Sequence, residues 1–244
     1  VKAVITAGGR IDGAFAEAAG TDIKALANLR GTTMLARIVE SLRGCGAKRI
    51  AIVGGAEVRA AFESRVESIV DESPSGSQNL LSALRAWPED GEALLYATSD
   101  LPYVTAAAVG DFIDRLEPGT IAVALSEIAA YEARFPGSPA AGITLGGERV
   151  VNGGIFSIPA GAAAPIAKVA TRFFEARKQP WRMATLVNPL ALLRFLAGRL
   201  RIADLETEAT RALAYPARAV RNCAPELAFD VDGIAEYEYV CTQA

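Results

Sequence analysis

The chain contains no histidine. That absence removes Ser-His-Asp hydrolases, Cys-His proteases, most zinc centres and any imidazole general base. Whatever chemistry occurs must run on carboxylates, cations, metal ions and backbone dipoles. Cysteine is scarce: Cys45, Cys223 and Cys241 have neither metal-ligand spacing nor an even-numbered framework. They are expected to be free thiols in a reducing cytoplasm. No apolar run reaches the ~18 residues of a membrane span, and the first residues read as a strand rather than a signal peptide. A net charge of −3 and a pI near 5.3 supply no excess of positive charge for a nucleic-acid backbone. Neither a membrane nor a nucleic-acid partner is expected. The G-x-G-x-x-G and G-x-x-x-x-G-K-[ST] phosphate loops are also missing.

Apolar material is plentiful. Hydrophobic residues make up 51% of 244 positions, enough for a sizeable core in one domain. The first half alternates strand and helix patterns: "KAVITA", "TTMLARIVESLRG", "KRIAIVGG", "AEVRAAFESRV", "ESIVD", "SGSQNLLSALRAWP", "EALLYATSD" and "TAAAVGDFIDRL". Met34, Leu35, Ile38, Val39 and Leu42 share one helical face behind a Thr32 or Thr33 cap. Strands buried on both faces and alternating with helices predict a mainly parallel sheet covered by helices. From Ile121 the pattern changes to β segments with Gly-rich turns in "AAGITLGGERVVNGGIFSIP". Helical stretches follow ("AAAPIAKVATRFFEARK", "NPLALLRFLAGRL", "ADLETEATRALA"), then strand-like "ARAVRNC" and "ELAFDVDG" and a short last helix. The expectation is a single α/β domain over 1–244, with a hairpin and helical lobe in its C-terminal half.

Several short stretches could carry chemistry, and each has a plain structural reading beside the functional one. Gly8-Gly9-Arg10 ends the first strand, as a tight turn or as a loop whose N–H groups approach an anion. Lys24 in "TDIKAL" is a solvated lysine or, with Arg10, a flank for a phosphate nest. Asp100 follows a strand that should be central. There it either caps the "Pro-Tyr-Val-Thr" turn or binds Mg²⁺ at the carboxyl edge of the sheet. Asp230 and Asp232 alternate on one face of a late strand. Gly76 and Ser77 begin a helix, as part of its cap or against a base or ribose. Asn152, Gly153 and Gly154 read as a hairpin turn or as a ligand-lining segment.

In combination, "ITAGGR", "DIKAL…RGTTMLARIVESL", "IAIVGG", "SGSQNLLSAL", "LLYATSDLPYVT", "VNGGIF" and "FDVDG" resemble the MobA-like nucleotidyltransferase family. It is typified by molybdopterin guanylyltransferase and related cytidylyl- and sugar-phosphate nucleotidyltransferases. The similarity covers nearly the whole chain and is strongest over residues 1–120. It implies a Rossmann-like, GT-A-type three-layer fold, with a nucleotide-binding half (1–120) and an acceptor-side half (121–244). It also implies Mg²⁺-dependent transfer of NMP from an NTP to a phosphorylated small-molecule acceptor, with release of pyrophosphate. Matched residue by residue, Ala7, Gly8, Gly9 and Arg10 fall in the nucleotide loop and Lys24 on the phosphate-binding lysine. Gly76 and Ser77 match the base-side segment, Asn152–Gly154 the acceptor side, Asp100 the metal aspartate, and Asp232, with Asp230 in reserve, the second metal position. Lys24, Arg10 and Asp100 are then the catalytic candidates. The loop from Gly9 to Lys24 is longer than the family's and lacks its Arg-Met-Gly, and "FFEARKQPWRMATL", with Lys178, matches no particular substrate branch. Two other readings remain: a catalytically silent nucleotide-binding module, and a glycosyltransferase of the same fold. The second usually carries Asp-x-Asp where "TSDLP" has one acid. A homodimer is compatible with all of this.

Overall fold

A computed structural model describes residues 1–139, 141–176 and 188–243. Its strands are β1 (Lys2–Thr6), β2 (Asn28–Leu29), β3 (Thr32–Thr33), β4 (Arg49–Gly54), β5 (Ser68–Asp71), β6 (Leu94–Thr98), β7 (Ile121–Glu127), β8 (Ile143–Leu145), β9 (Glu148–Ile158) and β10 (Ala217–Val220). Between them run α1 (Gly13–Ala19), α2 (Met34–Gly44), α3 (Ala56–Phe62), α4 (Gly76–Leu84), α5 (Ala106–Asp114), α6 (Ile128–Arg134), α7 (Ala163–Ala176), α8 (Pro189–Leu196), α9 (Ile202–Leu213) and α10 (Ile234–Thr242). The main sheet has the order β10-β7-β9-β6-β1-β4-β5, with β8 added against β9. Its pairs are parallel except those of β9, which runs against β6, β7 and β8. The C-terminal half therefore extends the sheet of the first half, and its hairpin is built into that sheet.

The apolar strands lie where two-sided burial requires. Ala3, Val4 and Ile5 of β1 have no exposed surface. One face is covered by α2 and α5, through Leu35, Ile38, Leu42, Val109 and Phe112. The Thr33 and Thr105 hydroxyls cap those helices by accepting from Ala36 N and Ala108 N, both at 3.1 Å. The other face is covered in part by α4 and α7. A third cluster joins α1, α6 and α10 around Phe229 and Phe135.

Four expectations need correction. The stretch between Gly9 and Lys24 contains a helix, α1, closed by Gly20 at φ 68° and held by Phe15 against Tyr237 of α10. Helix α6 was not foreseen either; it buries Ile128 and Tyr131. Asn152–Gly154 form no turn but sit inside β9. The β8–β9 turn is Gly146-Gly147, with φ 58° and 91°, values that favour glycine. "ELAFDVDG" is a 3₁₀ turn (Pro225–Leu227) followed by chain outside any ladder. The helix expected through Lys178 is described as far as Ala176, so Lys178 lies outside the described residues.

Candidate active site

Strands β1, β5 and β6 end at the same edge of the sheet, where open α/β sheets bind ligands. After β1, Ala7 is fully buried and its N–H is used in the sheet, donating to Val53 O at 2.8 Å. Gly8 and Gly9 follow, and neither needs a positive φ, so tight-turn geometry does not require these glycines. A Cβ on Gly8 would run into the Glu72 carboxylate and lie 3.0 Å from Asn79 Nδ2. A Cβ on Gly9 would meet only Lys24 side-chain carbons at 3.6 and 3.7 Å, an ordinary contact. The protein itself thus has room for a Cβ at Gly9, and the bare backbone there faces a cleft of about 730 Å³.

The long loop does not displace Lys24. Ile11 N donates to Asp22 O at 2.9 Å and Lys24 N to Gly9 O at 3.0 Å, closing the excursion at its base. Lys24 begins a short 3₁₀ turn and sends its ammonium into the cleft. There Nζ donates to Asp100 Oδ2 at 2.7 Å and Asp232 Oδ1 at 3.0 Å. Burial alone would lower the lysine pKa; the charge and hydrogen bond of Asp100, then those of Asp232, reverse this and raise it above the usual value. Val231 N donates to Asp100 O at 3.0 Å, which ties the late aspartates to the end of β6. Buried Phe229 and Val231 alternate with exposed Asp230 and Asp232, so the strand-like periodicity holds although no ladder forms. Asp230 has solvent access, yet desolvation first and the charges of Asp232 and Asp100 next push its carboxyl up to about 6.

Asp100 Oδ1 is buried without a hydrogen-bond partner. An orphaned carboxylate oxygen beside a second carboxylate is a hard-donor set, suited to Mg²⁺ or Mn²⁺. Among the described residues no group of three or more acidic or thiol side chains could hold a metal unaided. Two protein carboxylates completed by phosphate and water oxygens fit the way Mg²⁺ is commonly held.

Arg10 lines the same cleft as Lys24, and its guanidinium pairs with Glu72, just past β5. Sequence reasoning missed Glu72, although an acid directly after a strand at this edge was a readable signal. Its Oε1 is taken by Arg10 while Oε2 is buried without a partner beside Gly8. Helix α4 starts at the same cleft through Gly76, with no side-chain cap on its first N–H groups. Ser77 turns its hydroxyl to Ser75 Oγ at 2.7 Å and is not among the cleft-lining residues. Gly153 and Gly154 sit where the β7–β9 register shifts, packed too tightly for a side chain. A Cβ on Gly153 would lie 2.9 Å from both Leu227 O and Ala124 Cβ, and one on Gly154 would strike the Thr98 hydroxyl. Asn152 is exposed beside them.

The carboxyl edge of a mainly parallel α/β sheet, where such sheets bind ligands, here gathers a glycine loop, a lysine and two aspartates far apart in sequence. The chain belongs to the MobA-like NTP transferase domain family, which it matches over residues 3–214. A hypothetical transferase from Thermus thermophilus is similar at 28% identity and TM-score 0.84, with 98% of each chain covered. More distant likenesses, of fold alone, include 4-diphosphocytidyl-2C-methyl-D-erythritol synthase from Anaerococcus prevotii, at 10% identity and TM-score 0.57, covering 98% of this chain and 95% of that one. A Mycobacterium tuberculosis protein solved with manganese is similar at 16% identity and TM-score 0.55, covering 100% and 98%. Among proteins with curated functions, none matches.

Proposed function

We propose that the protein transfers NMP from an NTP to a phosphate-bearing small molecule and releases pyrophosphate, with Mg²⁺ as cofactor. The observation that carries this is Lys24, folded back on Gly9 and bridging Asp100 and Asp232 in the cleft. An NTP brings about four negative charges, for which the bare Gly8-Gly9 backbone and the uncapped start of α4 offer N–H groups. Asp100 and Asp232 would hold Mg²⁺, which supplies charge neutralisation and orientation at the α-phosphate. Lys24 would then turn from the carboxylates to the phosphates and stabilise charge gathering on the departing pyrophosphate. Arg10 is close enough to the glycine loop to share that task once it leaves Glu72. The acceptor phosphate is already anionic at neutral pH, so no general base is needed, in keeping with a chain that has no histidine.

The test is pyrophosphate release with each of the four NTPs, Mg²⁺ and a panel of phosphate monoesters. Turnover with one NTP supports the reading. Release of free NDP from a sugar nucleotide would replace it with a glycosyltransferase. Nucleotide binding without turnover would mark a silent module, the alternative that the Arg10–Glu72 pair favours.

A further inference from the structure

A second cavity, of about 620 Å³, lies beyond the cleft and has no part in the nucleotide chemistry above. Its floor is the sheet face presented by Ile121, Val123 and Leu125 of β7 and Phe156 and Ile158 of β9. Leu205, Ala209 and Leu213 of α9 form its far wall. The cavity shares Tyr96 and Thr98 with the nucleotide cleft, so the two spaces meet at β6, and Asn152 lines the second one. Among the described residues, most of the polar side chains along the wall already make a hydrogen bond. Glu206 Oε1 accepts from Ala219 N at 2.9 Å, Arg218 Nη1 donates to Ala217 O at 2.9 Å, and the Tyr96 hydroxyl bonds Thr6 Oγ1 at 2.8 Å. A sugar or other hydroxyl-rich body would lose its water there and find few partners, a costly exchange. An apolar body would lose nothing, and the space is of the size that encloses small-molecule ligands.

We infer that the acceptor is a phosphate monoester with a hydrocarbon body, an alkyl or isoprenyl phosphate. Its chain lies in this second cavity and its phosphate emerges between Thr98 and Asn152 toward the NTP. The inference rests on the nucleotidyltransfer reading above for the direction of the phosphate, and on the cavity lining for the nature of the chain. In the reaction, an oxygen of the acceptor phosphate forms a bond to the α-phosphorus. The bond from that phosphorus to the β-phosphate oxygen breaks, leaving a nucleoside diphosphate ester and pyrophosphate.

The experiment is a series of n-alkyl phosphates from butyl to decyl, with geranyl phosphate and glucose 1-phosphate, read by calorimetric binding and by pyrophosphate release. Each methylene taken into the cavity is worth roughly a factor of four in affinity. Affinity should therefore climb steeply along the series and exceed that for glucose 1-phosphate at least tenfold. Ile143→Asp, at an exposed mouth position, and Ala209→Phe, which fills the space, should each flatten the climb while leaving NTP binding unchanged. Two variants at separate places guard against one that merely misfolds. If alkyl phosphates bind with this dependence but release no pyrophosphate with any NTP, the cavity assignment stands and the nucleotidyltransfer reading falls. If glucose 1-phosphate turns over and affinity is flat along the alkyl series, the reverse holds. If Ile143→Asp changes the oligomeric mass without touching alkyl phosphate affinity, the face joins two copies of the chain and the inference is overturned.

Discussion

Replacing Asp100 by asparagine separates what this carboxylate does for the fold from what it does for the reaction. Asparagine has the same shape, so its Oδ1 can still accept from Lys24, now 2.7 Å from Oδ2 of the aspartate. What disappears is one charge in a pair whose side chains are only 14% and 17% exposed. A hydrogen bond to a charged group is worth about 1 kcal/mol more than a neutral one. For a chain of this length that lowers Tm by about 2–4 °C. The Lys24–Asp232 pair softens the loss little, because the Asp232 side chain is 77% exposed and solvent screens it. The effect on turnover should be far larger. If Asp100 is, as proposed, the buried half of a two-carboxylate metal site, losing several kcal/mol of metal-borne stabilisation costs on the order of 10²-fold in kcat, about 2.7 kcal/mol. Asp232→Asn should show the same disproportion, a Tm shift near zero with kcat down at least about tenfold. The assays are scanning calorimetry and continuous pyrophosphate release at saturating NTP and Mg²⁺. An Asp100→Asn protein that keeps more than about a third of wild-type kcat would refute the metal assignment. One that loses activity only by unfolding would make Asp100 a structural residue.

Gly153→Ala should destabilise the protein by about 1–3 kcal/mol, since its Cβ would press on Leu227 O and Ala124 Cβ, which cannot easily yield; urea unfolding measures it, and an unchanged midpoint would show that the bulge has slack. Asp90, held by Lys2 and Arg49, has its carboxyl kept well below the usual range, so its contribution is full above pH 3.8 and lost as pH falls further. Asp90→Asn should therefore lower Tm at pH 7 and by progressively less toward pH 2, and a gap constant with pH would contradict the pairing. Cys45, Cys223 and Cys241 are free thiols, and burial raises the pKa of the first two. Under native conditions iodoacetamide should modify exposed Cys241 first and Cys223 only after denaturation, and a protected Cys241 would indicate that its helix end is covered.

The strands were legible because two-sided burial leaves uninterrupted apolar runs such as Ala3–Ile5, and α2 and α5 because their apolar faces repeat at helical spacing behind threonine caps. Helix α1 was hidden by brevity: in "GAFAEAA" only Phe15 and Ala19 are buried, and its partner Tyr237 is far along the chain. Helix α6 did show Ile128, Tyr131 and Phe135 at helical spacing, but it starts at the very end of a strand with no loop to mark the change. Asn152–Gly154 carry the composition of a hairpin turn, and only the crowding by Leu227, Ala124 and Thr98 reveals that the glycines serve close packing within a strand. Lys24, Asp100 and Asp232 could be named one by one. Their meeting depends on the Val231–Asp100 and Lys24–Gly9 backbone hydrogen bonds, which no local pattern encodes. The Arg10–Glu72 pair lay beyond reach for the same reason: two loops become neighbours only through the strand order.

Thermal denaturation with and without each NTP and Mg²⁺, on the wild type and on Gly9→Val, tests the central claim most directly. A ligand present at about 100 times its Kd stabilises the native state by about 2.7 kcal/mol. One NTP with Mg²⁺ should raise the wild-type Tm by several degrees, in step with its concentration. Gly9 has room for a Cβ in the protein alone, so Gly9→Val should melt near the wild type without ligand yet show no shift when the nucleotide is added. A full nucleotide shift in Gly9→Val, or no shift in the wild type with any of the four NTPs, would contradict the placing of the nucleotide in this cleft.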